Sequence, residues 1–285
     1  MGGSRSMARE GDGSDTARLR RDTACRVPEL VVVNDQAALG REAAERFARI
    51  AEAAVASAGR FTVALAGGST PKTLYALLAT EPYRSRIPWS RTAIFWGDER
   101  CVPPDQEESN YRMVNDALLR HLPALPEGVY RMRGEDPDPT RAAADFEQLL
   151  RSVFGLEGGA LPRFDLILLG MGADGHTASL FPGSAALREI KRLVVATSAG
   201  TRHAVSVQAN RLTLTLPVLN EASAILFLVS ERDKAEMLHV VLDAAGPDDG
   251  PPAQQVRPRD GRLTWLVDRA AASLLEGSSQ RGEIH

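Results

Sequence analysis

From Leu30 onward, short apolar runs alternate with longer stretches in which apolar residues recur at helical spacing. The apolar runs predict strands over 30–33, 61–66, 92–97, 165–170, 193–196, 204–207, 224–229 and 263–267. Between them, the alanine-rich segment 36–57 carries an amphipathic helical pattern, and Pro71 suits the first turn of a helix over 71–79. Segments 110–120 and 231–243 also predict helices. Such alternation is the mark of an α/β fold, a largely parallel sheet flanked by helices. The segments 133–140 and 245–260, rich in Pro, Gly, Asp and Arg, predict surface loops. Residues 1–27 lack any periodic apolar pattern and predict a disordered tail, with 277–285 as a second tail. The stretch 28–276 is expected to form a single α/β domain, because no long linker or internal repeat divides it.

Composition narrows the function classes. Of 285 residues, 44% are hydrophobic and 25% charged, so the chain has ample material for a core. With 34 Lys and Arg against 37 Asp and Glu, the net charge of −3 offers no global attraction to nucleic acid or an anionic membrane. Any anion must therefore be held locally. Cys25 and Cys101 are too few for a disulfide scaffold and lack metal-ligand spacing. No apolar run reaches membrane-spanning length and no secretory signal pattern opens the chain, so a cytoplasmic location is expected.

In open α/β sheets, ligands bind beyond the carboxyl ends of the strands, which directs the search for chemistry to four loops. The first, Gly67-Gly68-Ser69-Thr70-Pro71, runs from a strand into a helix. Two glycines admit close backbone approach and a helix N-terminus favours negative charge, so the segment reads as an anion cradle. A glycine turn capped by Ser69 or Thr70 explains it equally well. The second, Trp96-Gly97-Asp98-Glu99-Arg100, places three charges at a strand end. They are either a solvated turn or a site in which Arg100 holds phosphate or an oxyanion and Asp98 or Glu99 orients it.

The third loop, within Phe164 to Gly183, is dense in glycine and carries Asp174 and His176. Imidazole suits proton transfer near neutral pH, and a neighbouring carboxylate fixes its tautomer. The bland alternatives are a structural histidine and a turn aspartate. Gly170, Gly172 and Gly175 match the spacing of a dinucleotide fingerprint, but the following strand ends in Thr197 and Ser198 rather than an acidic residue. No nicotinamide cofactor is expected. In the fourth, Ser230 to Lys234 follow a buried strand, and Lys234 can reach a phosphate or lie on a solvated helix face. Arg202, His203 and Arg211 precede that strand and are weaker candidates.

Taken together, GGSTP, GDERCVPPDQEESNYRM, GMGADGHTASLFPG and SERDKAEML stand in the order and approximate spacing of the 6-phosphogluconolactonase family, which the chain resembles from about Leu30 to the region of Leu275. The resemblance implies a Rossmann-like open sheet shared with glucosamine-6-phosphate isomerases and deaminases, without a bound dinucleotide. It implies hydrolysis of 6-phospho-D-glucono-1,5-lactone to 6-phosphogluconate in the oxidative pentose phosphate pathway. Carried onto this sequence, it gives Gly67, Gly68, Ser69, Thr70, Arg100 and Lys234 to the phosphate, and His176, with Asp174 and Arg100, to the chemistry. Asp98 and Arg211 are further candidates. Where deaminases resemble Ile-Ala-Phe-Asn-Glu-Pro, this chain reads Thr177 to Pro182 and puts Phe181 in place of the glutamate. A phenyl ring transfers no protons, which argues against deamination. The only partner expected is a small phosphorylated sugar lactone, with no nucleic acid and no membrane, bound by a monomer or homodimer. Neither cofactor nor metal is expected, since a lactone is an activated ester and the chain has no HExxH, GxSxG or Cys/His ligand cluster.

Overall fold

A computed structural model describes residues 27–198, 210–243 and 249–275. The predicted strand at 204–207, with Arg202 and His203, lies outside them, as does nearly all of both tails. In chain order the strands are β1 Glu29–Val33, β2 Phe61–Leu65, β3 Thr92–Trp96, β4 Asp98–Arg100, β5 Gly128–Tyr130, β6 Leu166–Leu169, β7 Val194–Ser198, β8 Asn210–Leu214, β9 Ala224–Val229 and β10 Arg262–Asp268. The α-helices are α1 Gln36–Ala58, α2 Ser69–Leu78, α3 Tyr83–Arg86, α4 Asn110–Ala117, α5 Pro139–Phe154, α6 Leu216–Leu219 and α7 Ala235–Leu242.

Seven strands form one sheet in the order β1-β10-β9-β6-β2-β3-β5, every neighbouring pair parallel. The expected open, Rossmann-like sheet with helices on both faces is therefore present. A second sheet, β4-β8-β7, is antiparallel. From β2 the chain moves outward through β3 to β5, returns to β6 beside β2, then moves the other way through β9 to β10. That reversal leaves a crevice beyond the carboxyl ends of β2 and β6, the usual ligand position in open sheets.

The central strands are buried on both faces, which is why their sequences read as unbroken apolar runs. Alternate residues still point opposite ways. Phe61, Val63 and Leu65 of β2 join Leu166 and Leu168 of β6 in a core with the α1 residues Leu39, Ala44 and Phe47. Ile167 and Leu169 of β6, with Ile225, Phe227 and Val229 of β9, face a separate core containing Phe146 and Leu150 of α5.

Local chemistry sets the helix ends. Asp35 caps α1 by accepting from the Ala38 N–H at 2.8 Å, and Gly59 ends the helix at φ 77°. Asp138 caps α5 through the Thr140 and Arg141 N–H groups, Pro139 takes the first turn, and Gly155 closes it at φ 61°. The loop expected over 133–140 thus ends at Asp138, and a 16-residue helix follows that the apolar pattern alone did not predict. Strands β4, β5 and β8 were likewise unpredicted. Helix α2 begins at Ser69, two residues before Pro71, and the helix expected from 231 opens with a 3-10 turn over Arg232–Lys234 before α7.

Candidate active site

The crevice at the reversal point is a cavity of about 480 Å³. Its wall includes Gly67, Gly68, Ser69 and Thr70 after β2, Asp98 and Arg100 on β4, and Arg211 on β8. His176 after β6 and Lys234 after β9 complete it. Asp174 stands behind the His176 ring rather than on the wall. The ten residues that the resemblance assigns to the site therefore lie on or beside one cavity.

The glycine loop is shaped by its neighbours. A Cβ on Gly67 would lie 1.9 Å from Asn110 Oδ1, so only glycine fits, and Gly68 takes φ 103°, a conformation that favours glycine. Helix α2 starts at Ser69 with no side-chain cap. The Thr70 hydroxyl instead pairs with Ser230 Oγ at 2.7 Å, tying the end of β2 to the end of β9. The capping role is thus not adopted, and the first N–H groups of α2 have no side-chain oxygen across them.

The imidazole is held from one side. His176 Nδ1 lies 2.5 Å from Asp174 Oδ1, which also accepts the His176 backbone N–H at 3.1 Å. Burial acts to raise the Asp174 carboxyl, yet the hydrogen bonds from the His176 ring and backbone outweigh it and hold its pKa below the ordinary carboxylate range. Gly172 donates its N–H to the His176 carbonyl at 2.9 Å, and a Cβ on Gly172 would sit 2.2 Å from the ring. On the far side, Phe181 packs with its centroid 4.8 Å from that of His176. The ring is one-third exposed and reaches the cavity, as a buried structural histidine would not.

Two of the cavity's three cations come from the antiparallel sheet. Arg100 and Arg211 are register partners on β4 and β8, and like charges opposite each other repel. Burial, and then the Arg100 charge, depress the pKa of Arg211. Arg100 Nη1 donates to the Glu108 carbonyl at 2.5 Å and Arg211 Nη1 to the Asn210 carbonyl at 2.9 Å. The expectation that Asp98 or Glu99 orients the Arg100 guanidinium is therefore corrected: a main-chain oxygen does so. Glu99 points inward, 2% exposed, and accepts the backbone N–H groups of Arg100, Asn110 and Tyr111 at 2.7–2.8 Å. Its role is to fasten the start of α4 to β4. Burial pushes its carboxyl above the usual range despite those donors.

Asp98 remains at the cavity. Its carboxylate accepts from Ser179 Oγ at 2.6 Å and Asn110 Nδ2 at 3.3 Å. Ser179 follows Ala178, a non-glycine residue at φ 47°. Lys234 sits in the 3-10 turn rather than in the α-helix, and its ammonium contacts Asp233. Burial pushes the Cys101 thiol up to about 11, so it is no nucleophile at neutral pH. Among the described residues, no group of three or more His, Cys, Asp or Glu side chains is arranged to hold a metal ion.

A family model described as glucosamine-6-phosphate isomerases/6-phosphogluconolactonase matches residues 34–265. The chain belongs to this family. Members named 6-phosphogluconolactonase from Nostoc sp. and Synechocystis sp. are 37% and 38% identical to it over 244 and 245 residues, covering 86% of this chain and 97% of each relative. The solved 6-phosphogluconolactonase of Trypanosoma cruzi matches with a TM-score of 0.77 at 31% identity, covering 87% of this chain and 97% of that one. Three residues that line the cavity escaped the sequence reading: Asn110, Ser179 and Ser230. Each is a small polar side chain whose only signal is proximity to a motif, and its partner lies 12 to 160 residues away.

Proposed function

We propose that the chain hydrolyses 6-phospho-D-glucono-1,5-lactone to 6-phospho-D-gluconate, with His176 as general base. The observation that carries this reading is the shared cavity: an imidazole backed by Asp174 faces the same 480 Å³ space as Ser69, Arg100, Arg211 and Lys234. Arg100, Arg211, Lys234 and the start of α2 hold the phosphate dianion, and that remote grip positions the lactone carbonyl. With Nδ1 donating to Asp174, Nε2 is left to accept a proton from water as the water oxygen attacks the carbonyl carbon. Donors of the glycine loops or Arg100 stabilise the resulting oxyanion. When the tetrahedral adduct collapses, the ring C–O bond breaks and His176 returns the proton to the departing ring oxygen.

Phe181 favours this reading over deamination, because it packs an apolar ring against His176 where deaminases carry a glutamate. The enzyme is expected to act in the cytoplasm within the oxidative pentose phosphate pathway, as a single domain that is monomeric or homodimeric. No helix among the described residues is long and apolar enough to cross a membrane. The deciding measurement is proton release from freshly generated lactone, corrected for spontaneous opening. Acceleration at catalytic enzyme concentration is expected; a rate equal to that of buffer, or ammonia release from glucosamine 6-phosphate instead, overturns the proposal.

A further inference from the structure

The cavity contains a group that works against its main attraction. Arg100, Arg211 and Lys234 draw in a dianion, whereas the Asp98 carboxylate on the same wall repels it. Yet Asp98 is firmly braced. Ser179, 1% exposed, donates to Oδ2, and Asn110, 1% exposed, donates to Oδ1 and to the Asp98 carbonyl at 2.9 Å. The brace has a cost of its own, because Asn110 Oδ1 is buried without a hydrogen-bond partner, which is unfavourable. Turning the amide over would satisfy neither Asp98 acceptor. The arrangement holds a carboxylate in one orientation at a site where its charge is unwelcome.

An ionised carboxylate accepts and never donates, and it has about four acceptor positions, of which Ser179 and Asn110 fill two. Phosphate oxygens, a lactone carbonyl and a ring oxygen are all acceptors. The hydroxyl groups of a sugar ring are the donors that such a ligand offers. We infer that Asp98 reads a ring hydroxyl of the substrate, with Ser179 and Asn110 as positioning residues, so that the site selects polyhydroxylated six-membered lactones over deoxygenated ones. The inference rests on the lactonase reading for its substrate, but the contact itself concerns binding and is measurable without turnover.

The experiment compares wild type and Asp98→Asn on the phosphorylated lactone and on three analogues, each lacking one ring hydroxyl. Wild type is expected to lose roughly 10- to 100-fold in kcat/KM on one analogue, as befits a hydrogen bond to a charged acceptor. Asp98→Asn should shrink that particular gap to a few-fold while leaving inhibition by inorganic phosphate unweakened. Ser179→Ala should narrow the same gap in part, and decides the matter if Asp98→Asn does not fold. Calorimetry with the non-hydrolysable 1,5-anhydroglucitol 6-phosphate and its deoxy counterparts reads the same discrimination as an affinity ratio. Discrimination there without lactone turnover would overturn the proposed reaction and leave the hydroxyl contact standing. Equal losses on all substrates in Asp98→Asn, or a wild type indifferent to every missing hydroxyl, would overturn the inference.

Discussion

The two ends of the central sheet carry cavities of similar size that hold their arginines differently. Beyond the amino ends of the strands lies a space of about 540 Å³ bordered by three arginines, Arg46, Arg49 and Arg262, against two in the site itself. There Arg46 is gripped by both Glu29 oxygens at 2.7 and 3.0 Å and by Glu42 at 2.6 Å, and Arg49 lies 3.5 Å from Glu45. Beyond the carboxyl ends, Arg100 and Arg211 face each other across two strands and donate to main-chain carbonyls. A carbonyl fixes a guanidinium without cancelling its charge. Arginine content therefore does not distinguish the ends; the surroundings do, for Arg46 and Arg49 are bound to glutamates, whereas the carboxyl end sets Arg100 in one cavity with His176 and the first turn of α2.

The largest expected effect is at the proton-transfer group. His176→Asn should lower kcat by about 10²–10⁴-fold while inorganic phosphate inhibits as before, since general-base loss leaves the cations in place. Wild-type turnover in the folded variant would remove the assigned base. Gly172→Ala comes next: it alters no ionisable group, but its Cβ would collide with the imidazole. A loss of about 10²-fold in kcat is expected from displacing the ring, with KM little changed.

Asp174 provides a test by pH. Its carboxyl is depressed in the folded chain, so its stabilising contribution is complete above the unfolded carboxyl range near pH 4 and fades as pH falls through the lower folded value. The difference in Tm between wild type and Asp174→Asn should accordingly be present at pH 7 and close in strong acid. A gap that widens on acidification would contradict the assigned hydrogen bond. The smallest effect belongs to the other end of the sheet. Arg46→Ala should cost roughly 1 kcal/mol of stability in denaturant titration and leave kcat/KM within twofold. A large loss of activity there would erase the distinction between the two ends.

Legibility in the sequence followed burial. Strands β2, β3, β6 and β9 are enclosed on both faces, so they announced themselves as apolar runs. Strands β4 and β5 are three residues long, and β4 reads Asp-Glu-Arg; it exists because β8 pairs with it 110 residues later, a relation no local window contains. The same distance left Arg211 only a weaker candidate, because its place in the site depends on lying opposite Arg100. Residues on strand-end loops were readable because glycine and charge concentrate there. Their braces were not: Ser179 reaches Asp98 across 81 positions, and Thr70 meets Ser230 across 160. Glu99 was misjudged because a carboxylate inside a charged triplet gives no sign of which way it points. Helix α5 did carry its markers, in Asp138, Pro139 and Gly155, but the turn-forming residues before it dominated the reading.

The sheet also acts as a wall. Odd and even positions of the same strand send their side chains into rooms that communicate only through the backbone, one beneath α1 and the other beneath α5. A substitution that swells one room can be compensated by a neighbour in that room and by little elsewhere. Sequence drift in this protein should therefore run as two separate histories, interleaved residue by residue along every central strand.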